Sequence, residues 1–199
     1  MLNNNKIVIL ISSNQPSIGK STFSKKLKSN FDNFKIKTSI LSFSTIIKEA
    51  SYHTYSSISS LFASSLSIDE YKQDKKDIKI DFLDKTPRDL YILYSSFIKS
   101  IFGNDVFSLY LKNKIKNSSS SIIIIDDWRL VEDSLVLSDF NVIKIFLKKQ
   151  DKNNNNLSQI SNLYENKITE KDCDYVFEIN SDWGNMDNIV LQVFENVVF

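Results

Sequence analysis

The stretch KIVILISSNQPSIGKSTF, residues 6–23, decides how the rest of the chain is read. Residues 6–12 are an almost unbroken β-branched run, the pattern of a strand covered on both faces. Residues 14–22 then match GxxxxGK[ST], except that Asn14 stands where the first glycine would be. The amphipathic stretch 20–30 comes next as a helix. Asparagine enters the left-handed backbone region more readily than other non-glycine residues, so the turn can still form. In such a loop, backbone N–H groups and the helix N-terminus surround a β-phosphate. The pattern therefore places an ATP-type triphosphate along Asn14, Gln15, Ser17, Ile18, Gly19, Lys20, Ser21 and Thr22. Lys20 neutralises phosphate charge, Ser21 ligates Mg2+ and Thr22 lies near the α-phosphate.

Further along, residues 35–43, 121–126, 141–147 and 175–179 read as additional strands, separated by helical or polar segments. Thr86 caps a helix whose first residue is Pro87, with Leu90, Leu93, Tyr94, Phe97, Ile98 and Ile101 on one face. Gly103 ends it, and Asn104 caps the next helix, to about residue 116. Residues 44–66 show helical spacing diluted by serines, 67–84 are charged and loop-like, and 150–156 (QDKNNNN) form a polar loop. Strands alternating with helices imply a parallel sheet covered on both faces, with ligands at the carboxyl ends of the strands. The expectation is an α/β chain, a three-layer α/β/α P-loop kinase fold with a five-stranded, mostly parallel sheet. It is read as a single domain over 1–199, with an inserted helical substrate-binding region at about 44–116 and a lid-like polar loop at about 148–170.

Bulk composition narrows the function classes. At 199 residues the chain has room for one full hydrophobic core. Its 25 Lys and Arg nearly balance its 24 Asp and Glu, which argues against nucleic-acid binding driven by overall charge. The lone Cys173 forms no internal disulfide, and the lone His53 excludes mechanisms that need paired histidines. A reducing, cytoplasmic setting fits, and the short apolar run 7–11 is unlike a membrane span. The partner implied is a small-molecule nucleotide; no nucleic acid or membrane is expected, and a homodimer is left open.

A second set of segments extends the reading: Lys85-Thr86-Pro87-Arg88-Asp89-Leu90 opens a helix, Phe102-Gly103-Asn104-Asp105 comes after it, and a later strand ends in Asp126-Asp127-Trp128-Arg129. Together with the P-loop, these segments resemble the deoxynucleoside monophosphate kinases of the bacteriophage type. That family tends to show a P-loop, a "PLK" segment after the second strand, a "(T/S)PR" helix start and a strand ending in "DxR". The counterparts here, in the same order, are Ile46-Ile47-Lys48, Thr86-Pro87-Arg88 and Asp127-Trp128-Arg129. The proline before the "LK" pair is absent, and the polar segment near Asn153 lacks the histidine and most basic residues of a catalytic lid. The resemblance implies transfer of the γ-phosphoryl group of ATP, with Mg2+, to a deoxynucleoside 5′-monophosphate.

Phosphoryl transfer requires cations to converge on one point. A guanidinium binds phosphate through two parallel hydrogen bonds, which singles out Arg88 and Arg129 beside Lys20 as catalytic candidates, with Lys48 a further substrate-binding one. An arginine at a helix start also serves simply to pair with a neighbouring carboxylate. Asp126 and Asp127 end a buried strand, where a carboxylate holds a magnesium-bound water or orients the acceptor's sugar. Phe43, Tyr91 and Tyr94 either stack on a base or belong to the core, and Trp183 and Asn180 are placed to border the adenine of ATP. Two alternatives stay open: a P-loop kinase for another small-molecule acceptor, and a catalytically inactive ATP-binding protein.

Overall fold

A computed structural model describes residues 6–15, 18–62, 65–149, 168–180 and 182–198. The chain divides into two compact units, Met1–Ser42 with Ser108–Phe199, and Phe43–Phe107.

The first unit carries the sheet. Its strands are β1 (Ile7–Ser13), β2 (Thr38–Leu41), β3 (Ile122–Ile125), β4 (Asn141–Lys149) and β5 (Tyr175–Ile179). All neighbours pair in parallel, in the order β2-β3-β1-β4-β5. The sheet is thus wholly parallel where the sequence suggests mostly parallel, and the fold is a three-layer α/β/α arrangement. The β-branched runs explain its centre: Ile9 lies between Ile124 and Ile143, and Val8 to Ile11 and Ile123 to Ile125 are fully buried.

Helices α1 (Lys20–Asn33) and α6 (Met186–Val198) cover one face. Phe23, Leu27 and Phe31 of α1 share a core with Ile189, Val190, Val193 and Phe194 of α6 and with Ile9, Ile11, Ile122, Ile124, Ile145 and Leu147 of the sheet. Phe31 and Phe194 meet with ring centroids 5.2 Å apart. Alternation along the strands turns Val8, Leu10, Ile123, Ile125 and Phe146 to the opposite face. There the buried Leu111 and Ile115 of α4 (Val106–Asn117), with Leu137 and Phe140 beyond α5 (Val131–Val136), supply the second helical layer.

Local chemistry sets several boundaries differently from the sequence expectation. The strand expected over 35–43 begins only at Thr38, because the chain leaves α1 through a tight turn. In it Phe34 N–H donates to the Asn30 and Phe31 carbonyls, and Lys35 takes a left-handed conformation with φ 59°. Helix α4 begins at Val106, so Asn104 lies in the turn before it and is not the cap. Lys6, at the start of β1, is buried, and its ammonium donates to the carbonyls of Ile115 (2.6 Å), Lys116 (3.2 Å) and Ser118. It thereby closes the carbonyl end of α4, where a cation is favoured by the helix dipole.

The second unit is helical. Helix α2 (Ser44–Ser59) continues into a 3-10 turn at Ser60–Phe62, and α3 spans Pro87–Phe102. The serines of α2 fit because their hydroxyls bond back along the helix, as Ser57 does to the His53 carbonyl; Thr54 does the same to that of Ala50. Thr86 and Asp89 form the capping box that starts α3, and Gly103, at φ 91°, ends it. The charged segment 67–84, expected to be loop-like, contains a π-helical turn at Glu70–Asp74. Charge pattern alone hides this turn, which is held from its other side: Tyr71 is fully buried, its hydroxyl 2.7 Å from that of Ser51, and it stacks on Tyr55. Among the described residues no helix is long and apolar enough to cross a membrane.

Candidate functional site

The carboxyl ends of β1 and β3 lie side by side in the parallel sheet, so the residues just beyond each strand are brought to one edge. After β1 come the exposed Asn14 and then Gln15, whose carbonyl accepts from the hydroxyl of Ser13, the last residue of the strand, at 2.9 Å. Ser17 lies outside the described residues. Ile18 is buried and anchors the loop in the core beneath it. Gly19 then stands at the N-cap of α1 with φ 95° and ψ 18°, and its carbonyl accepts the first helical bond, from Phe23 N–H at 2.8 Å. A side chain here would be strained by the backbone and would meet Met186 Cε at 3.0 Å. Gly19 has no side chain with which to cap α1, so the N-cap residue itself engages none of the first helical N–H groups.

Lys20 opens the helix and folds back, its ammonium donating to Ser13 Oγ at 2.6 Å. The Ser21 hydroxyl lies near the carboxyl of Asp126, the first residue after β3, and favours its charged form, while Thr22 is exposed. Asp127 accepts from the Ser42 hydroxyl, just beyond β2, at 2.5 Å. Between Asp127 and Arg129 sits Trp128, which is buried. Its indole N–H donates to the Leu130 carbonyl, and its own carbonyl accepts from Ser12 Oγ at 3.0 Å. Trp128 is the pin that fixes where Asp127 and the exposed Arg129 leave the sheet edge.

The electrostatics of this cluster are opposed to themselves. Burial, and then the nearby Arg129 guanidinium, push the Lys20 ammonium below its ordinary pKa, with Asp126 and Asp127 pulling the other way. Burial, and then the charge of Asp127, raise the Asp126 carboxyl above its ordinary value, against the Ser21 hydroxyl and the Lys20 charge. Two cations that repel each other and two carboxylates that repel each other therefore share one small region. Lys20, Ser21, Asp126, Asp127 and Arg129 are thus brought to one edge of the sheet. Ser13 and Ser42 join them without having been foreseen; their one signal is a small hydroxyl at the end of an apolar strand run.

Trp183 also reaches this edge. Its indole Nε1 lies 3.6 Å from where a Gly19 Cβ would stand, and the side chain is 52% exposed. It holds φ 59°, an uncommon conformation for so bulky a residue. Asn180, the residue after β5, has its carbonyl bonded by Trp183 N–H at 2.9 Å, which sets this turn.

The remaining candidates belong to the other unit. Arg88, in the first turn of α3, grips Asp77 with both ends of its guanidinium, and both side chains are more than half exposed. Lys48 is half-buried on α2. Phe43 is buried, and Tyr91 is part of the core around Tyr71, donating its hydroxyl to the Tyr71 carbonyl. Tyr94 lines a cleft between α2 and α3. The lid-like segment falls mostly on residues 150–167, outside the described residues. Among the described residues, no group of three or more His, Cys, Asp or Glu is arranged to hold a metal ion. Compared with known proteins, the chain matches no family model and no curated relative.

Proposed function

We propose that this chain is a phosphotransferase of nucleotide metabolism that moves the γ-phosphoryl group of ATP to a (deoxy)nucleoside 5′-monophosphate. The observation that carries the reading is the joining of Gly19, Lys20 and Ser21 at the head of α1 to Asp126 at the end of β3. A left-handed glycine at the N-cap of a helix lets backbone N–H groups approach a phosphate closely, and Lys20 adds the charge. An anion between Lys20 and Arg129 eases the repulsion of the two cations, and a divalent cation at Asp126 eases that of the two carboxylates.

The residues fit Mg2+, which is commonly held by one or two carboxylates together with substrate phosphates. Ser21 and Asp126 would hold it. When bound it would shield charge on the phosphates. The chain's own part is positioning: Lys20 and Arg129 neutralise the transferring group, and Asp127, oriented by Ser42, faces the acceptor. Lys48 and Arg88 are assigned to the acceptor phosphate. The Arg88–Asp77 pair is largely exposed, and pairs of this kind contribute about 0–1 kcal/mol, so exchanging Asp77 for a phosphate costs little. An ionised acceptor phosphate needs no general base. The acceptor class rests on the ordered Lys48, Thr86-Pro87-Arg88 and Asp127-Trp128-Arg129 segments.

One observation favours a second reading. A carboxyl whose proton affinity is raised by burial, as at Asp126, suits a general base for a hydroxyl acceptor. The two are separated by incubating the protein with ATP, Mg2+ and a panel of nucleoside and deoxynucleoside monophosphates, with Lys20→Ala and Arg88→Ala alongside. The proposal expects diphosphate formation that both substitutions abolish. ATP binding that depends on Lys20, with no monophosphate converted, would move the activity to another acceptor or to a non-catalytic role. Absence of ATP binding would remove the phosphate site itself.

A further inference from the structure

A lysine that is to meet phosphate needs its ammonium fixed in place while its charge stays uncommitted. A carboxylate partner fixes an ammonium but offsets its charge, whereas a neutral hydroxyl fixes it and leaves the charge whole. Lys20 has the second kind of partner. Its ammonium donates to Ser13 Oγ at 2.6 Å, and its remaining N–H groups have no partner among the described residues. Asp126 and Asp127 are nevertheless close enough to act on its charge.

Ser13 is itself held. It ends β1, is 3% exposed, and donates its own proton to the Gln15 carbonyl at 2.9 Å. A hydroxyl has one proton and two lone pairs, so with the proton given to Gln15 the lone pairs are what it presents to Lys20. The bridge to Gln15 also spans Asn14, the residue that stands where GxxxxGK[ST] has glycine. One buried oxygen therefore ties the lysine that opens α1 to the loop ahead of it, across the position where the loop departs from the pattern. That oxygen is carried by the middle strand of the sheet, where Ser13 lies opposite Leu147 of β4.

We infer that Ser13 is a positioning residue whose hydroxyl holds Lys20 so that two of its three ammonium protons remain for the oxygens of a bound phosphate. The inference rests on the reading of the loop after β1 as a phosphate site, and it adds to that site a residue outside the GxxxxGK[ST] pattern. Its physical content lies in what happens without the hydroxyl. The flexible four-carbon stem of Lys20 is then free to swing, and Asp126 and Asp127 are the groups that attract its charge. An ammonium that has turned to a carboxylate has to be recovered before it can meet phosphate, which weakens binding without any change in the loop's own N–H groups.

Titration calorimetry of the full chain with inorganic tripolyphosphate and Mg2+ tests it, because this probe has no base or sugar and reads the phosphate contacts alone. Ser13→Ala is expected to raise the dissociation constant about ten-fold, the effect of one hydrogen bond to a charged group. Ser13→Thr, which keeps the hydroxyl, restores the parent affinity. Ser13→Cys, close to serine in size but a weak hydrogen-bonding partner, falls with alanine and carries the test if the alanine variant fails to fold. Ser108→Ala also removes a buried hydroxyl, one that donates to Asp133 at 2.5 Å from α4, and leaves binding unchanged. A Ser13→Ala protein that binds tripolyphosphate as the parent does, while Lys20→Met does not, would overturn the inference and leave the phosphate site standing. Equal weakening by alanine and threonine would overturn it too, since the hydroxyl would then not be the acting group. No binding by the parent would remove the phosphate site and the inference with it.

Discussion

Replacing Gly19 by alanine separates what the proposed phosphate loop costs the fold from what it does for a ligand. At φ 95° and ψ 18° an alanine meets the left-handed penalty of about 1–2 kcal/mol. Its new Cβ also stands 3.0 Å from Met186 Cε, the flexible end of a side chain that can yield by a few tenths of an ångström. Against this, alanine restricts the unfolded chain and returns about 0.4–1 kcal/mol. The net loss is about 1 kcal/mol, which for a chain of this length lowers Tm by about 2–4 °C. The ligand effect is separate. ATP at about a hundred times its Kd stabilises a competent site by about 2.7 kcal/mol, an upward shift of roughly 5–11 °C. With the turn strained and pushed off Met186, the loop N–H groups lose their alignment and most of that shift disappears. Differential scanning fluorimetry with and without ATP and Mg2+ reads both numbers. A variant that melts at or above the parent temperature would refute the strained turn. One that melts lower but keeps the full ATP shift would show that the loop does not touch phosphate.

Asp126→Asn tests the electrostatics. Because burial and Asp127 raise the folded pKa of Asp126, its stabilising protonated form is fully present below the ordinary aspartate range and is lost as pH rises through the raised value. The variant is therefore more stable than the parent at neutral pH, with the gap closing below about pH 4, while Mg2+-dependent nucleotide binding is lost; urea melts at several pH values check the first and titration calorimetry the second. Trp128 is buried and Trp183 exposed, so a change of tryptophan emission on adding ATP reports Trp183, and it vanishes in Trp183→Ala but not in a Trp128→Phe variant that folds. Lys6→Met strands the carbonyls at the end of α4 and lowers stability by about 2–3 kcal/mol, a Tm lower by roughly 5–10 °C, while the ATP-induced shift survives in full.

How far the sequence could be read depended on whether a signal was local. Strand β5 is found at the bounds its apolar run suggests, and α3 begins where Thr86 and Pro87 place it, because each is decided within a few residues. The π-helical turn around Tyr71 was hidden because its cause is a packing partner twenty residues away, Ser51, while its immediate neighbours Glu70 and Lys72 are charged. The shortening of β2 has a similar origin, since the turn through Phe34 and Lys35 is set by how α1 ends. In the site, the parallel topology was enough to bring Asp126, Asp127 and Arg129 to the loop after β1. The parts that orient them were not legible: Ser42 reaches Asp127 across 85 residues of sequence, and Trp128 is held by Ser12 across 116.

The two lysines that flank β1 show how the same residue type is put to opposite uses. Lys6 enters the core at the amino end of the strand and gives its protons to three carbonyls at the close of α4, where the helix dipole also favours a cation. Its surroundings already complete it, so its role is structural. Lys20, beyond the carboxyl end, donates to the neutral hydroxyl of Ser13, loses hydration by burial and shares its region with a second cation. A fold selected for stability alone would do better with a neutral side chain there, because burial and the Arg129 charge disfavour the ammonium more than Asp126 and Asp127 favour it. Retaining such a cost at a helix N-terminus capped by glycine, at the carboxyl edge of a parallel sheet, is what the proposed site for a multiply charged anion requires. The contrast also makes opposite demands on substitution: Lys6→Met should lower stability and leave ligand response intact, whereas Lys20→Met should leave the ligand-free protein at least as stable and abolish its response to ATP.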